Sequence, residues 1–306
     1  MTSLCTQYWQ VILAQGVCVG LGQGLIAVPA VAILPQYFMK HKALAVGVAV
    51  SGSSLGGVIQ PIVFRQLQPK IGFPWATRVL GFISLATSAF SVSVMRVRRM
   101  PKQRRSLVEP TAFREAPYAL FCIAMFFSYV GFFGPIFYLS SYAIDMRAMN
   151  DDLAFYLLAI LNAASIPGRI LPGLLARRAG PINMLLPASL ITGILSLCWI
   201  GVHTKGGLIV FSVLYGFFSG GVVSLPVVAM TSLMPDLKTW GTRMGMCYTI
   251  CSFGSLGGTP VSGAILTATG NYLGVQLFSG LTIFLTGVLL LVTRYSKVGT
   301  VIRARV

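Results

Sequence analysis

Residues 37–57 read YFMKHKALAVGVAVSGSSLGG, a short basic turn followed at once by a long uncharged run. Lys40 and Lys42 are the last charges before Arg65, so Ala43 to Phe64 has the length and apolar character of a helix that crosses a bilayer. Basic residues at one end of such a helix are typical of its cytoplasmic side. The stretch therefore predicts a membrane helix that begins at a cytoplasmic turn.

Eight further stretches share this character, so nine membrane helices are predicted. Only 9% of the 306 residues are charged, against about 25% in a soluble domain, which excludes a soluble globular protein. The predicted fold class is therefore all-α, a polytopic membrane helix bundle. The further stretches are Gln10 to Leu34, Trp75 to Met95, Tyr118 to Ile144, Leu153 to Ala176, Ile182 to Val202, Gly206 to Leu233, Met244 to Leu266 and Tyr272 to Thr293.

The basic residues are distributed unequally between the two sides of the predicted bundle. The chain has 23 Lys and Arg against 6 Asp and Glu, a net charge of +17. With alternating spans, 17 of the basic residues lie on one side, 5 on the other and Arg169 inside a span. The side with more basic residues is predicted to be cytoplasmic, and the C-terminus lies on that side. The expected location of the protein is the plasma membrane. Nucleic-acid binders instead carry basic residues on a polar domain, so no nucleic-acid partner is predicted.

An internal repeat relates the first two spans to the seventh and eighth. The tetrapeptide SLGG occurs at residues 54–57 and again at 255–258, an offset of 201. The preceding span of each pair matches at four positions with an offset of 197: Gly24, Pro29, Val31 and Ala32 correspond to Gly221, Pro226, Val228 and Ala229. The repeat is therefore predicted to be six spans long, so that the first copy begins at its own fourth helix.

These segments resemble the major facilitator superfamily, specifically its monocarboxylate-transporter-like branch as found in fungi. Residues 37–57 look like the start of that branch's fifth helix, residues 161–181 (LNAASIPGRILPGLLARRAGP) are similar to its eighth, and residues 240–266 to its eleventh. The resemblance implies a twelve-helix fold of which this chain has helices four to twelve and lacks the first three.

The same resemblance implies three regions and a motif that acts in conformational change. The regions are a partial N-terminal bundle (1–95), a basic cytoplasmic linker (96–115) and a complete C-terminal bundle (116–306). The motif residues are Tyr37, Phe38, Lys40, Lys42, Gly47 and Gly52 in the first copy, with Arg243 and Gly245 at the corresponding turn of the second copy.

Arg169 is the clearest candidate for chemistry. A cation at mid-span costs about 2.5–3.5 kcal/mol on insertion scales, and such residues usually face a bundle interior or a water-filled path. Pro167 and Gly168 precede it, and proline disturbs the preceding turn, which frees backbone carbonyls. A guanidinium holds a carboxylate through two parallel hydrogen bonds. The alternative is that Arg169 extends to the cytoplasmic boundary or braces a neighbouring helix.

The chain departs from the family at three places. Ser165 stands where animal members have an aspartate one turn before the arginine, and Arg177 replaces an acidic residue after the helix. By the same resemblance, the family's first helix, with its pocket lysine, is expected to be missing from this sequence. Because none of the six acidic residues falls inside a predicted span, no proton-coupling carboxylate is identified, and facilitated diffusion stays open.

Other polar and aromatic residues could line a path beside Arg169. Asn162 and Ser165 precede it by 7 and 4 residues, roughly on one helix face. Aromatic candidates are Tyr129, Phe133 and Tyr138 in the fourth span, next to a Gly-Pro interruption, and Phe217 and Phe218 in the seventh. For all the aromatic residues, packing and lipid contact is the competing interpretation.

The predicted function is passage of a small organic anion, with a monocarboxylate as the expected cargo, by rocking of one bundle against the other. Two alternatives stay open: transport of a larger metabolite such as a natural product or riboflavin, and a non-transporting, truncated or regulatory membrane protein. An enzyme is not predicted, because no metal cluster, nucleophile and base pair or phosphate loop is present. The expected partners are the organic anion and the lipid bilayer, with no cofactor and no metal.

Overall fold

The computed structural model describes residues 2–38, 41–96, 106, 108–234 and 239–299, and all regular structure within these ranges is helical. The predicted all-α fold class is therefore confirmed. In chain order the helices are α1 (Tyr8–Val11), α2 (Val19–Tyr37), α3 (Lys42–Val94), α4 (Ala116–Asp145), α5 (Asp151–Ala179), α6 (Pro181–Cys198), α7 (Lys205–Leu233), α8 (Trp240–Thr269) and α9 (Leu273–Val298). A π-helical stretch, Ile12–Cys18, joins α1 to α2.

Seven helical segments among the described residues are long and apolar enough to cross a membrane. The number differs from the nine predicted spans for two reasons. Helix α3 is 53 residues long and contains two predicted spans, which meet where Gly72 leaves helical geometry at φ 74°. Helix α8 is long enough at 30 residues but is not among the seven. The number of nine stays a prediction.

Charged residues and glycine mark the ends of α5. Asp151 and Asp152 lie in its first turn, and Arg177 and Arg178 lie in its last turn. This arrangement complements the helix dipole at both ends. Gly180 follows with φ 97°, a conformation that terminates the helix and that residues with a side chain rarely adopt.

The chain divides into two compact units, of which the first comprises Met1–Met39 and Gly56–Gln103. Its apolar side chains are largely exposed, as expected of lipid-facing helices. Within this unit the Tyr37 hydroxyl donates a hydrogen bond to the backbone carbonyl of Arg96, and the Arg78 guanidinium lies 4.8 Å from the Trp75 ring centre.

The second unit comprises Lys40–Leu55 and Arg104–Val306, so the first turns of α3 pack with helices α4 to α9. Helix α5 packs against α7, α4 packs against α8 and α9, and α6 packs against α7 and α9. A buried aromatic cluster near the ends of α4, α6 and α7 includes Tyr142, Trp199, Phe211 and Tyr215. The predicted regions 1–95, 96–115 and 116–306 stay a prediction.

Candidate functional site

Arg169 lies on the face of α5 that packs against the start of α3. Its side chain is buried, with 8% of the residue exposed. One terminal nitrogen, Nη1, donates to the Val50 carbonyl at 2.6 Å and also to the Ser53 hydroxyl. The guanidinium therefore braces a neighbouring helix, which was one of the two sequence interpretations.

The other edge of the same guanidinium is unused. Neither Nε nor Nη2 of Arg169 has a hydrogen-bond partner among the described residues, and Nε is buried. No described carboxylate pairs with this cation. A buried donor without an acceptor is costly, which makes the Nε atom of Arg169 an unusual feature of the bundle.

Ser165 shares the Arg169 face and also contacts α3. Its hydroxyl lies 2.7 Å from that of Ser54 and donates to the Asn162 carbonyl at 2.8 Å. The position that carries an aspartate in animal members of the resembled branch therefore holds a hydroxyl that hydrogen-bonds across two helices. The Asn162 amide instead donates to the Leu158 carbonyl at 2.9 Å, within its own helix.

The start of α3 approaches α5 and α7 closely. A Cβ atom on Gly47 would overlap the carbonyl oxygen of Arg169, and one on Gly173 would lie 2.7 Å from the Ala43 carbonyl oxygen. The Lys42 ammonium donates to the Thr231 hydroxyl of α7 at 2.8 Å. Of the predicted motif residues, Gly47 therefore permits the close contact with the Arg169 helix, and Lys42 joins the same segment to α7.

The remaining motif residues lie in other environments. Gly52 and Gly245 have open space where a Cβ would project, so neither makes a close helix contact. Tyr37 and Phe38 lie in the first unit and are largely exposed. Lys40 falls outside the described residues.

The aromatic candidates of α4 divide into two environments. Tyr129 lies near enough to Arg169 for the hydroxyl and the guanidinium to interact electrostatically, and its ring centre is 6.4 Å from that of Phe133. The Tyr138 hydroxyl donates to the Thr259 carbonyl of α8 at 3.3 Å. Tyr129 is thus the aromatic side chain of α4 placed beside the guanidinium.

Phe217 and Phe218 line an apolar cleft between α5, α6 and α7. The cleft has a volume of about 450 Å³ and is also lined by Pro172 and Pro187. Leu175, on the same lining, is 54% exposed, so the cleft opens on the outer surface of the helices. The structure therefore places the two phenylalanines with lipid-facing residues, and it groups Ser165, Arg169 and Tyr129 elsewhere.

A second charged site joins the linker to the start of α8, and we call it the Arg243 clamp. Arg243 is 5% exposed and binds two carboxylates, each through two hydrogen bonds. Its Nε and Nη2 donate to Glu109 at 3.0 and 2.8 Å, while Nη1 and Nη2 donate to Glu115 at 2.8 and 2.7 Å. The Tyr118 hydroxyl donates to the Arg243 carbonyl at 2.8 Å.

These hydrogen bonds stabilise the ionised carboxylates. The guanidinium of Arg243 lowers the pKa of Glu109 and of Glu115 below the usual value, against an opposing effect of burial. Lys297 adds a smaller favourable charge interaction at Glu115. Because the folded-state pKa values are depressed, the clamp contributes stability above the unfolded-state pKa of about 4.3 and loses it as the pH falls through the folded values.

We expect Arg243→Ala to lower the free energy of unfolding by about 2 kcal/mol at pH 7, less than the 3–5 kcal/mol of a fully buried pair because Glu115 is partly exposed. The substitution leaves two neighbouring carboxylates without their cation. Thermal melting in detergent between pH 7 and pH 3 measures the effect. The wild-type melting temperature should fall as the pH drops below about 4.3, and that of the variant should start lower and change less.

Arg114→Ala is the matched control, since Arg114 is exposed and precedes Glu115 directly. It should keep the wild-type melting profile across the same pH range. Equal melting temperatures for Arg243→Ala and Arg114→Ala at pH 7 would show that the clamp does not stabilise the fold.

Arg243 could be identified from the sequence, but its two partners could not. Glu109 and Glu115 are the only acidic residues in the predicted linker, which is otherwise strongly basic. These two acidic residues in a basic segment were the sign in the sequence that could have pointed to an ion pair. Their spacing could not show that both carboxylates bind the same guanidinium. Among the described residues, no group of three or more His, Cys, Asp or Glu is arranged to hold a metal ion.

Comparison with known proteins identifies relatives over most of the chain. The model of the Major Facilitator Superfamily matches residues 1–206. An MFS-type transporter of Emericella nidulans is 42% identical over 289 residues, which cover 94% of this chain and 65% of the relative. An aspyridones efflux protein of the same organism is 44% identical over 290 residues, which cover 94% of this chain and 59% of the relative. An agnestins efflux protein of Paecilomyces divaricatus is 37% identical, with coverage of 99% and 70%.

The fold also matches solved structures. A crystal structure of the E. coli fucose:proton symporter superposes with a TM-score of 0.69 at 16% identity, covering 89% of this chain and 74% of the symporter. A second structure of that protein, in the outward conformation, superposes with a TM-score of 0.65 at 17% identity. At this identity the likeness concerns the fold alone. The chain spans 65% and 59% of the length of the first two relatives above.

Proposed function

Because the chain belongs to the major facilitator superfamily, we propose that it is a membrane transporter that moves an organic anion by alternating access. The observation that carries this proposal is the buried Arg169, whose Nε–Nη2 edge has no acceptor among the described residues. A carboxylate or another planar anion would fill both donors at once. The Tyr129 side chain interacts electrostatically with the same guanidinium.

The cargo we propose is an acidic fungal metabolite that is exported from the cell. Two of the relatives are named as efflux proteins, for aspyridones and for agnestins, and this favours the larger metabolite over the small monocarboxylate. A small monocarboxylate is the second candidate, supported by the same Arg169 edge and by the resemblance of residues 37–57 and 161–181 to the fungal monocarboxylate-transporter-like branch. Both candidates place the chain in the plasma membrane, with residues 96–115 as a cytoplasmic linker and the C-terminus on the cytoplasmic side.

Substrate entry would affect the contact between α5 and the start of α3. The Nη1 atom of Arg169 is bound to this segment, and an anion at the Nε–Nη2 edge would share the same guanidinium. Binding of an anion to Arg169 would therefore be coupled to the position of the first turns of α3, which the same guanidinium contacts. Gly47 and Gly173 allow these helices to approach, and helices in such contact can slide when the cargo changes the balance of charge.

The proposal is tested by transport into lipid vesicles that contain the purified chain. The cargo panel should hold short monocarboxylates, larger acidic metabolites and the methyl ester of each acid. We expect uptake of acids and little uptake of their neutral esters, and the size of the transported acids decides between the two cargo classes. Equal transport of acids and esters would remove the anion requirement.

A further inference from the structure

Helices α4 and α8 run side by side with their backbones in close contact. The Tyr118 hydroxyl of α4 reaches the Arg243 carbonyl of α8 at 2.8 Å. Further along, a Cβ on Gly254 would lie only 2.7 Å from the Phe126 carbonyl oxygen, and one on Gly258 would overlap the Val130 carbonyl oxygen. Side chains between these points on the facing surfaces therefore meet at short range.

Three thiols lie on this shared surface, and we call them the three-thiol cluster. Cys122 of α4 is 1% exposed, and Cys247 and Cys251 of α8 are 3% and 2% exposed. Cys122 lies one turn after Tyr118 on α4, and Cys247 lies one turn after Arg243 on α8, so the contact between Tyr118 and Arg243 places these two thiols side by side. Cys247 is close enough to Cys122 and to Cys251 for their side chains to interact. Five of the six cysteines, these three included, lie in apolar runs, a pattern that predicts small buried apolar residues and not a disulfide framework. That interpretation fits their burial but not their grouping.

The other described cysteines differ from the cluster. Cys18 and Cys198 are exposed, contrary to the interpretation of these residues as buried, because they lie on outward-facing helix surfaces. Cys5 is of intermediate exposure. The cluster is thus the place where the described chain brings thiols of two different helices together.

We propose that Cys122 and Cys247 are a reversible disulfide site that joins α4 to α8 under oxidising conditions. A disulfide needs Cα atoms within about 7 Å and side chains that point at each other. The close contacts of Tyr118 with Arg243 and of Phe126 with Gly254 bracket Cys122 and Cys247 on the facing surfaces of α4 and α8. The oxidant is a small peroxide. Each thiol gives up one proton and one electron, the S–S bond forms, and hydrogen peroxide accepts both protons and both electrons to become two molecules of water.

Cys251 has a different part in this chemistry. It shares its helix with Cys247, so a bond between these two would not link α4 to α8. It lies four residues after Cys247, one turn from the reacting pair on the same helix. It can therefore attack a Cys122–Cys247 disulfide at Cys247 and release the Cys122 thiol, a balanced exchange in which the proton of Cys251 passes to Cys122.

The linkage would restrict motion of the two helices. Helix α4 contains Pro135 and α8 contains Pro260, each beyond the cluster towards the helix C-terminus. Proline interrupts the backbone hydrogen bonding and is where such helices bend. A bond at the cluster would hold the first halves of both helices together and so slow transport. This effect on transport rests on the proposed function, whereas formation of the disulfide does not.

The disulfide is tested by mass spectrometry on the purified full chain in lipid vesicles. The protein is treated with hydrogen peroxide, its free thiols are blocked with N-ethylmaleimide under denaturing conditions, and it is digested. We expect a peptide pair linked through Cys122 and Cys247, two fewer blocked thiols, and restoration of both by dithiothreitol. Retention of all six free thiols, or linkage through Cys5, Cys18 or Cys198, would overturn the proposal.

Serine variants assign the pair. Cys122→Ser and Cys247→Ser should each abolish the linked peptide, while Cys198→Ser, at an exposed position, should leave it unchanged. Because the linkage is measured first on the wild-type chain, a variant that fails to fold does not affect the test. A linked peptide that persists in Cys122→Ser would overturn the assignment.

Transport provides the second measurement. Peroxide should remove most of the transport rate of the wild-type chain, dithiothreitol should restore it, and Cys122→Ser should be insensitive. A disulfide that forms without loss of transport would overturn the effect on helix motion. If the wild-type chain transports no acid before oxidation, the proposed function is overturned instead. Mass spectrometry still decides whether the disulfide forms.

Discussion

Vesicles that contain the Arg169→Lys variant should lose about ten- to a hundredfold of the initial rate of acid transport, the equivalent of one charge-assisted hydrogen bond of 1.5–3 kcal/mol. Lysine keeps the positive charge but has a single ammonium without a flat two-donor edge. It can replace the Nη1 contact to the Val50 carbonyl, and it cannot also present the Nε–Nη2 edge. The measurement is initial uptake at several cargo concentrations, compared with wild type at equal protein content.

Arg177→Lys is the matched control for this prediction. Arg177 is an exposed residue in the last turn of the same helix, so the same chemical change there should leave transport unchanged. Melting temperature in detergent separates loss of the site from loss of the fold. Unchanged uptake of every acid by Arg169→Lys would exclude Arg169 from the cargo site.

The importance of Arg169 could be predicted from the sequence, because a lone cation in a long apolar run has few structural explanations. Its partners could not be predicted. Val50 contributes a backbone carbonyl, which every residue has, and Ser53 is one of three serines in the run SGSS. Sequence spacing places residues on a face of one helix but does not identify which other helix covers that face.

The aromatic candidates could not be told apart from the sequence for the same reason, since spacing does not show what each helix face contacts. Tyr129 and Phe217 both lie in apolar spans beside glycines, and their sequence surroundings are alike. In the structure, Tyr129 lies near the guanidinium, whereas Phe217 lines the cleft that opens beside α6. Both orientations satisfy the pattern of an apolar membrane helix, because the bilayer and the bundle interior are similarly apolar.

Glycine spacing is ambiguous for a related reason. Gly47 and Gly52 belong to one apolar stretch and were assigned to one motif, yet their environments differ. A Cβ on Gly47 would overlap the Arg169 carbonyl oxygen, and one on Gly52 would meet nothing within 4 Å. Small size matters where another backbone approaches, and the sequence does not show where that occurs.

Replacing Gly47 with alanine should therefore destabilise the protein by about 1–3 kcal/mol, the usual cost of adding a methyl group to a filled contact. The atom that the methyl group meets belongs to the backbone of α5, so no side chain can rotate away. The start of α3 has to move, and it carries Val50 and Ser53, the two partners of the Arg169 guanidinium. We expect a lower melting temperature and, since the site is displaced, slower acid transport by the protein that remains folded.

Gly52→Ala tests whether the effect arises from this contact. Alanine is favoured over glycine in a helix by about 1 kcal/mol, and the space at position 52 is open, so this variant should melt at or above the wild-type temperature. The two substitutions add the same methyl group to the same helix five residues apart. If Gly47→Ala and Gly52→Ala have the same melting temperature, the start of α3 does not pack against α5 in the membrane. If Gly47→Ala melts several degrees lower, glycine is needed at position 47 because it permits the close contact with the Arg169 carbonyl.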